Sequence, residues 1–329
     1  MKKIALFSLG GTISAKGINY LDLKDYQSGL LTGEDLLLKL PNLQQIADID
    51  VVQIDNVSST QLTSIHWIKL KEQIEEYLNH KNYDGIVVTQ GTSTLEETAY
   101  FIHLTVHSDK PIVFVGAQRP FDSISSDAPL NLVHAFLVAT SDEAKGNGVL
   151  VVSNGEIHSA RDVTKTNTYK LETFQSSIFG CLGIIDVDFS VQFYRAPIRK
   201  HTFSSVFSNK NINDLPNVEI IYSYAGATGE QLKFIQNNNS YKGVVIAGQG
   251  AGRFTKLEEE VINHLVNYGI VIVRSSRGGH GRVVPIEAYN QLNLISGDNL
   301  TPQKARILLM LALTLTKNTD EIQQLFNQY

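Results

Sequence analysis

Two loops of this chain place a threonine directly after glycine, each at the end of a run that reads as a strand. The first is Ser8-Leu9-Gly10-Gly11-Thr12-Ile13. The second is Gln90-Gly91-Thr92-Ser93-Thr94-Leu95-Glu96-Glu97. Glycines allow tight turns and let a ligand come close to the backbone. Free amide N–H groups there, and at the helix start that follows, could hold an anion or a developing oxyanion. A threonine hydroxyl could act as a nucleophile, but it is too weak unaided. The opposing reading is structural, because Gly-Thr is also an ordinary strand-to-helix turn with a capping hydroxyl. Either loop alone fits that reading; two in one chain favour chemistry.

Two further residues could activate a hydroxyl. Lys165 sits in Arg161-Asp162-Val163-Thr164-Lys165-Thr166-Asn167-Thr168. An isolated lysine is usually a solvated charge. One set among hydroxyl residues could instead be partly buried, with a lowered pKa, and take a proton. Tyr26, in the polar stretch Asp22–Gly29, could supply a phenol from a mobile loop. A lone loop tyrosine is otherwise plain surface.

The elements that must carry these residues alternate along the chain. Short Val- and Ile-rich runs predict strands at Lys3–Leu9, Val51–Ile54, Gly85–Thr89, Ile112–Val115 and Gly148–Val152. Between them Ser64–His80, Thr94–His107 and Asp127–Ala144 read as helices. Nearly continuous apolar strands alternating with helices predict a mostly parallel sheet covered on both faces. Ligands of such sheets bind beyond the carboxyl ends of the strands, where both Gly-Thr loops fall. A second series has strands at Val218–Tyr222, Gly243–Ala247 and Ile270–Arg274 and helices near Gly229–Asn237 and Lys256–Asn267. Helical patterns at Pro302–Thr316 and Thr319–Gln328 close the chain. The fold class expected is α/β in two domains, a larger N-terminal one and a smaller C-terminal one. The boundaries are 1–190 and 213–329, with residues 191–212 as a linker lacking sustained periodicity.

Composition bounds the function. The 329 residues are 43% hydrophobic and 19% charged, enough for a full core, which excludes a disordered tail. A net charge of −5 gives no support for a nucleic-acid or anionic-membrane partner. One cysteine, Cys181, permits no intrachain disulfide and fits a reducing compartment. Met1-Lys2-Lys3 followed by Ile4–Leu9 has the outline of a secretory signal. Its apolar run is too short and meets glycines instead of a cleavage site, so a buried first strand is expected. Ile307–Leu315 is about half a membrane span. A soluble, cytoplasmic protein is the expectation.

The motifs together resemble bacterial asparaginases, the type also grouped with glutaminase-asparaginases. Gly10–Ile13 looks like the first signature loop and Thr89–Phe101 like the second. Further similarity runs through Val115–Pro120, Pro129–Leu132, Arg161–Thr168, Arg195–Thr202, Arg274–Arg277, Pro302–Arg306 and Phe326–Tyr329. The resemblance covers essentially the whole chain. It implies hydrolysis of a small-molecule amide through a covalent threonine acyl-enzyme, with neither metal nor organic cofactor. It also implies homotetramers built as dimers of intimate dimers, with each active site completed by the partner subunit. Thr12 then matches the nucleophile, Tyr26 its activating tyrosine on a flexible lid, and Thr92 and Lys165 the second threonine and the lysine. Ser59 matches a serine that binds the substrate α-carboxylate; Gly11, Thr60, Gly91 and Ser93 are the adjoining substrate-binding positions.

The pattern breaks on the side of the substrate amine. The usual second motif reads Thr-His-Gly-Thr-Asp-Thr, whereas here Gln90 replaces the histidine and Ser93 the aspartate. That aspartate binds the α-ammonium and helps to fix the lysine. Losing one partner of a buried charged hydrogen bond costs roughly 2–5 kcal/mol, a factor of about 30 or more in binding. Thr60 replaces the usual Gln or Asp, and Ala251 stands where an Asn is common. Glu287 is the nearest candidate for a glutamate contributed by the partner subunit, about one residue out of register. Two explanations follow. L-Asparagine is the substrate, hydrolysed to aspartate and ammonia with rearranged contacts. Alternatively, the substrate is a related amide with an altered or absent α-amine.

Other signals are weaker. Gly248–Gly252 lacks the spacing of a dinucleotide fingerprint. His103 and His107 have the i,i+4 spacing of zinc ligands without an intervening glutamate, and read as helix-surface or satisfied polar residues. The Arg195–His201 cluster reads as structural. A non-enzymatic alternative, a weakly active or inactive amide-binding sensor, stands beside the hydrolase reading until turnover is measured.

Overall fold

The apolar runs become strands: β1 (Lys3–Gly10), β2 (Asp48–Val57), β3 (Gly85–Thr89), β4 (Ile112–Val115) and β5 (Val149–Ser153). The structure is a computed structural model describing residues 1–329, in two units, Met1–Asn211 and Ile212–Tyr329. Three short strands complete the main sheet of the first unit: β6 (Glu156–Ser159), β9 (Gly183–Ile185) and β10 (Val191–Phe193). A separate pair, β7 (Thr164–Lys165) and β8 (Phe174–Gln175), forms its own two-stranded ribbon. The eight strands run in the order β10-β9-β6-β5-β4-β3-β1-β2. β1 to β5 are mutually parallel, and β6, β9 and β10 pair antiparallel at one edge.

Every residue of β3, β4 and β5 is buried. Both faces are therefore covered, which is why these strands read as unbroken apolar runs. On one face Leu6, Val87, Val113 and Leu150 pack with Leu132, Ala135 and Phe136 of helix α4 (Ala128–Thr140) and Leu36 of α1 (Gly33–Lys39). On the other, Phe7 meets Tyr77 edge-on, with ring centroids 5.1 Å apart. Tyr77 lies in the π-helical turn Glu76–His80 that closes α2 (Ser64–Glu75). Trp67 of α2 stacks on Phe101 of α3 (Leu95–Thr105) at 5.5 Å and donates its indole N–H to Thr98 Oγ1 at 3.1 Å.

Helix α1 has no counterpart among the expected elements, although Thr32 and Asp35 form a reciprocal capping box at its start. The same holds for the antiparallel edge and the β7–β8 ribbon, whose strands are too short to show a period. Residues 191–211, expected as linker, belong to the first unit. Val191–Phe193 pairs there with Gly183–Ile185, and Ile212 opens the second unit.

The second unit is a four-stranded parallel sheet, β11 (Asn217–Tyr222), β12 (Tyr241–Gly248), β13 (Val271–Ser276) and β14 (Ile295–Ser296). Helices α5 (Glu230–Gln236) and α6 (Lys256–Asn267) cover one face through Leu232, Ile235, Ile262 and Leu265. Helix α7 (Pro302–Leu313) presses Leu309 and Leu313 onto Gly243, and α8 (Thr319–Gln328) ends the chain. No helix is long and apolar enough to cross a membrane.

Candidate active site

β1 and β3 are parallel neighbours with Ser8 beside Thr89, so their carboxyl-end loops leave the sheet side by side. The loops touch through glycines. A Cβ on Gly11, whose φ is 86°, would lie 2.1 Å from Gly91 Cα and 2.2 Å from Gly91 N. A Cβ on Gly91 would meet Ser59 Oγ at 2.8 Å. Segments more than 30 residues apart in sequence thus converge backbone to backbone, and no larger residue fits at 11 or 91 without moving them. Ser59 is buried, and its carbonyl accepts from Thr94 Oγ1 at 2.9 Å. Gln90, fully buried in the histidine position of the motif, donates from Nε2 to that same Thr94 oxygen at 3.4 Å.

Two hydroxyl pairs stand on this glycine seam. Thr12 opens a 3-10 turn, Thr12–Ser14, and its Oγ1 is 2.9 Å from the Tyr26 hydroxyl. The loop bearing Tyr26 is closed at its base by reciprocal backbone hydrogen bonds between Lys16 and Gln27. In the second pair, Lys165 Nζ is 2.6 Å from Thr92 Oγ1 and donates also to Gln118 Oε1 at 3.2 Å. Lys165 comes from β7 and is half-buried. Burial pushes its ammonium below the usual lysine range, against the carboxylates of Glu96 and Asp127, which favour the charged form. Thr12 and Thr92 are both buried.

A further layer fixes these groups. Glu96, in the first turn of α3, is 5% exposed. One of its oxygens accepts from Thr164 Oγ1 at 2.9 Å and the other from the backbone N–H of Lys165. Asp127, at the start of α4, accepts from the backbone N–H groups of Gln118 (2.9 Å) and Arg119 (3.0 Å). Asn131 donates to Asp127 at 3.2 Å and to the carbonyl of Gly116 at 3.1 Å. Glu96, Gln118 and Asp127 are not among the site residues expected from the sequence. Glu96 and Gln118 lie inside the motif runs singled out there, which was the available signal. An open cleft of about 930 Å³, lined by Ile18, Leu21, Lys24, Arg119 and Tyr169, has Gln118, the partner of Lys165, in its wall.

Of the ten positions expected from the sequence, the structure gathers Gly11, Thr12, Tyr26, Ser59, Gly91, Thr92 and Lys165 into these contacts. Thr60 and Ser93 adjoin them and are exposed, Thr60 with its hydroxyl 3.0 Å from Ser58 Oγ. Glu287 belongs to the second unit, where it is exposed at the start of a 3-10 turn, Glu287–Leu292. His103 is a buried core histidine whose Nδ1 accepts from the backbone N–H of Val149 at 3.1 Å. Chemically, the site offers two hydroxyls, each with a polar partner, on two loops held backbone to backbone.

Comparison with known proteins gives a consistent result. Residues 3–199 match the family described as asparaginase, N-terminal, and residues 217–326 match the glutaminase/asparaginase C-terminal domain. L-asparaginase 2 of Bacillus subtilis is 42% identical over 339 aligned positions, covering 100% of this chain and 87% of that protein. L-asparaginase 2 of Escherichia coli is 38% identical, covering 100% of this chain and 94% of its own length. Among solved structures, the probable cytoplasmic L-asparaginase from Campylobacter jejuni superimposes with a TM-score of 0.97 at 39% identity, each chain covered in full.

Proposed function

The chain belongs to the asparaginase family, and from that premise we propose that it hydrolyses the side-chain amide of L-asparagine to aspartate and ammonia through an acyl-enzyme on Thr12. The observation that carries the mechanism is the pairing of both threonines, Thr12 with Tyr26 and Thr92 with Lys165. Thr12 Oγ attacks the amide carbon; as the C–O bond forms, its proton passes to the Tyr26 oxygen while Tyr26 hands its own phenolic proton toward the amide nitrogen, so the phenol stays neutral. The tetrahedral oxyanion faces the backbone N–H groups of the two glycine loops, where losing one donor typically costs about 10²–10³ in rate. Collapse breaks the C–N bond, and the leaving nitrogen takes the proton and departs as ammonia. Water then attacks the ester and gives one proton to the Thr92–Lys165 pair; the C–O bond to Thr12 breaks, Thr12 Oγ takes a proton from Tyr26, and the proton held by Lys165 returns through solvent to reset both pairs. Burial of Lys165 supports that step, since it raises the fraction of amine able to take a proton.

Ser59, held against Gly91, is the group proposed to bind the α-carboxylate, with Gly11, Gly91, Thr60 and Ser93 around it. Exposed Ser93 in place of a carboxylate keeps a second reading in view, an amide whose α-amine is absent or altered. The assembly that goes with the mechanism is a homotetramer of intimate dimers, with Glu287 supplied across the dimer; a solution mass of one chain contradicts it. The cytoplasm is the proposed location, supported by the likeness to the C. jejuni protein of that description.

The deciding experiment measures ammonia release over L-asparagine, D-asparagine, L-glutamine and simple diacid monoamides, for wild type and Thr12→Ala. Turnover on L-asparagine that Thr12→Ala abolishes is expected. Turnover confined to amides without an α-amine favours the second reading. Saturable binding without ammonia, the sensor outcome, refutes hydrolysis.

A further inference from the structure

We propose that Glu96 is a positioning residue, which clamps strand β7 from the start of helix α3 so that Lys165 Nζ meets Thr92 Oγ1. The inference rests on the role proposed above for Lys165 and Thr92. Lys165 lies in a strand of two residues, paired only with Phe174–Gln175. Such a ribbon is too short to hold a side chain to within a few tenths of an ångström by itself. Glu96 supplies the missing constraint. Its buried carboxylate receives the Thr164 hydroxyl on one oxygen and the Lys165 backbone N–H on the other. Both ends of the lysine are then fixed, the backbone by Glu96 and the ammonium by Thr92 and Gln118.

The clamp joins the two halves of the pair. Thr92 precedes α3 by three residues, and Glu96 lies in its first turn, so one rigid element locates the hydroxyl and the strand that brings the amine. A carboxylate on the first turn is also favoured by the helix dipole. That alone would be satisfied by a solvated glutamate; it does not call for one that is 5% exposed and spends both oxygens on β7. Position 93, where the family pattern places an aspartate that helps to fix the lysine, holds an exposed serine here. With no carboxylate at 93, Glu96 and Gln118 are the groups that hold the lysine here.

The charge of Glu96 makes the role testable apart from folding. The charged groups that act on the Lys165 amine are Glu96 from α3 and Asp127 from the start of α4, and both favour the ammonium; Thr92 and Gln118 are its neutral partners. Glu96→Gln keeps the shape and removes one charge. It is expected to lower kcat on L-asparagine at least about tenfold with KM within about threefold. The rising limb of kcat against pH, which reports the neutral amine, should move down by about 0.5–1 unit. A helix-capping role alone would lower Tm and leave that limb in place. Thr164→Val removes one contact and no charge, so kcat should fall about three- to tenfold with the limb unmoved. Wild-type kcat in either variant, or a limb unmoved in folded Glu96→Gln, overturns the proposal; if Glu96→Gln does not fold, Thr164→Val decides alone. Thr12→Ala run alongside separates the two levels. Full activity in that variant refutes the underlying mechanism, whereas an inactive Thr12→Ala with an unaffected Glu96→Gln refutes only the clamp.

Discussion

Gly11→Ala tests whether the glycine seam is what assembles the site. Two costs are built into this substitution. The first is conformational: Gly11 sits at φ 86° and ψ −166°, a region essentially reserved for glycine, and an L-residue held there loses roughly 1–3 kcal/mol. The second is steric. The new Cβ would stand 2.1 Å from Gly91 Cα, where ordinary contact begins at 3.4 Å. The obstructing atoms are backbone, with no flexible side-chain end to swing aside. Relief requires the loop of Thr12 and the loop of Thr92 to separate by about 1 Å, and a displacement of that size costs on the order of 10²-fold in rate. The same backbone carries the proposed oxyanion donors, so kcat/KM should fall about 10²–10³-fold. Gly146→Ala is a positive-φ control. Its φ is 75°, and nothing lies within 4 Å of the added Cβ. It carries positive-φ strain without the collision. Ammonia release and thermal unfolding measured on both variants separate the two effects. Both should lose a few degrees of Tm, and only Gly11→Ala should lose activity. A Gly11→Ala enzyme within about threefold of wild type in kcat/KM would refute the claim that contact between these loops sets the catalytic geometry.

Ser93→Asp restores the carboxylate expected beside the substrate amine. Because Ser93 is exposed, its pairing with an ammonium is worth ~1 kcal/mol, and kcat/KM for L-asparagine should rise about fivefold. No gain in an enzyme already fast on L-asparagine would dispose of the altered-amine reading. His201 supplies a pH dependence of stability. Burial lowers its pKa below 6.5, so the folded state holds it neutral while the unfolded chain takes a proton. Stability from this group is complete above about pH 6.5 and is lost as pH falls from there toward the folded pKa. Tm should therefore decline from pH 7 to pH 5, and less steeply in His201→Asn. His134 is shifted in the same direction and keeps part of the slope. Equal slopes for wild type and variant would show that His201 does not titrate with unfolding.

The parts of the site that could be read from sequence are those whose signal is local. Gly-Gly-Thr at the end of an apolar run announces a strand followed by a loop open to ligand, and Lys165 stands out among hydroxyl residues. What could not be read is which distant segments touch. Chain order would place β2 next to β1 and β3 next to β2, yet β1 lies between β2 and β3. Only that insertion brings the loop of Thr12 against the loop of Thr92. The Lys165–Thr92 contact spans 73 residues and depends on strands of two residues, below the length at which alternation carries information. Glu96 was hidden for a different reason. An acidic residue in the first turn of a helix already has a sufficient explanation in the helix dipole, so its type and position raise no question. Its burial and its two partners on β7 raise one, and both are properties of the folded chain alone. The residues most exposed to sequence reading are thus the reacting groups, which glycine and hydroxyl chemistry mark out. The residues that place them look ordinary until the contacts are known.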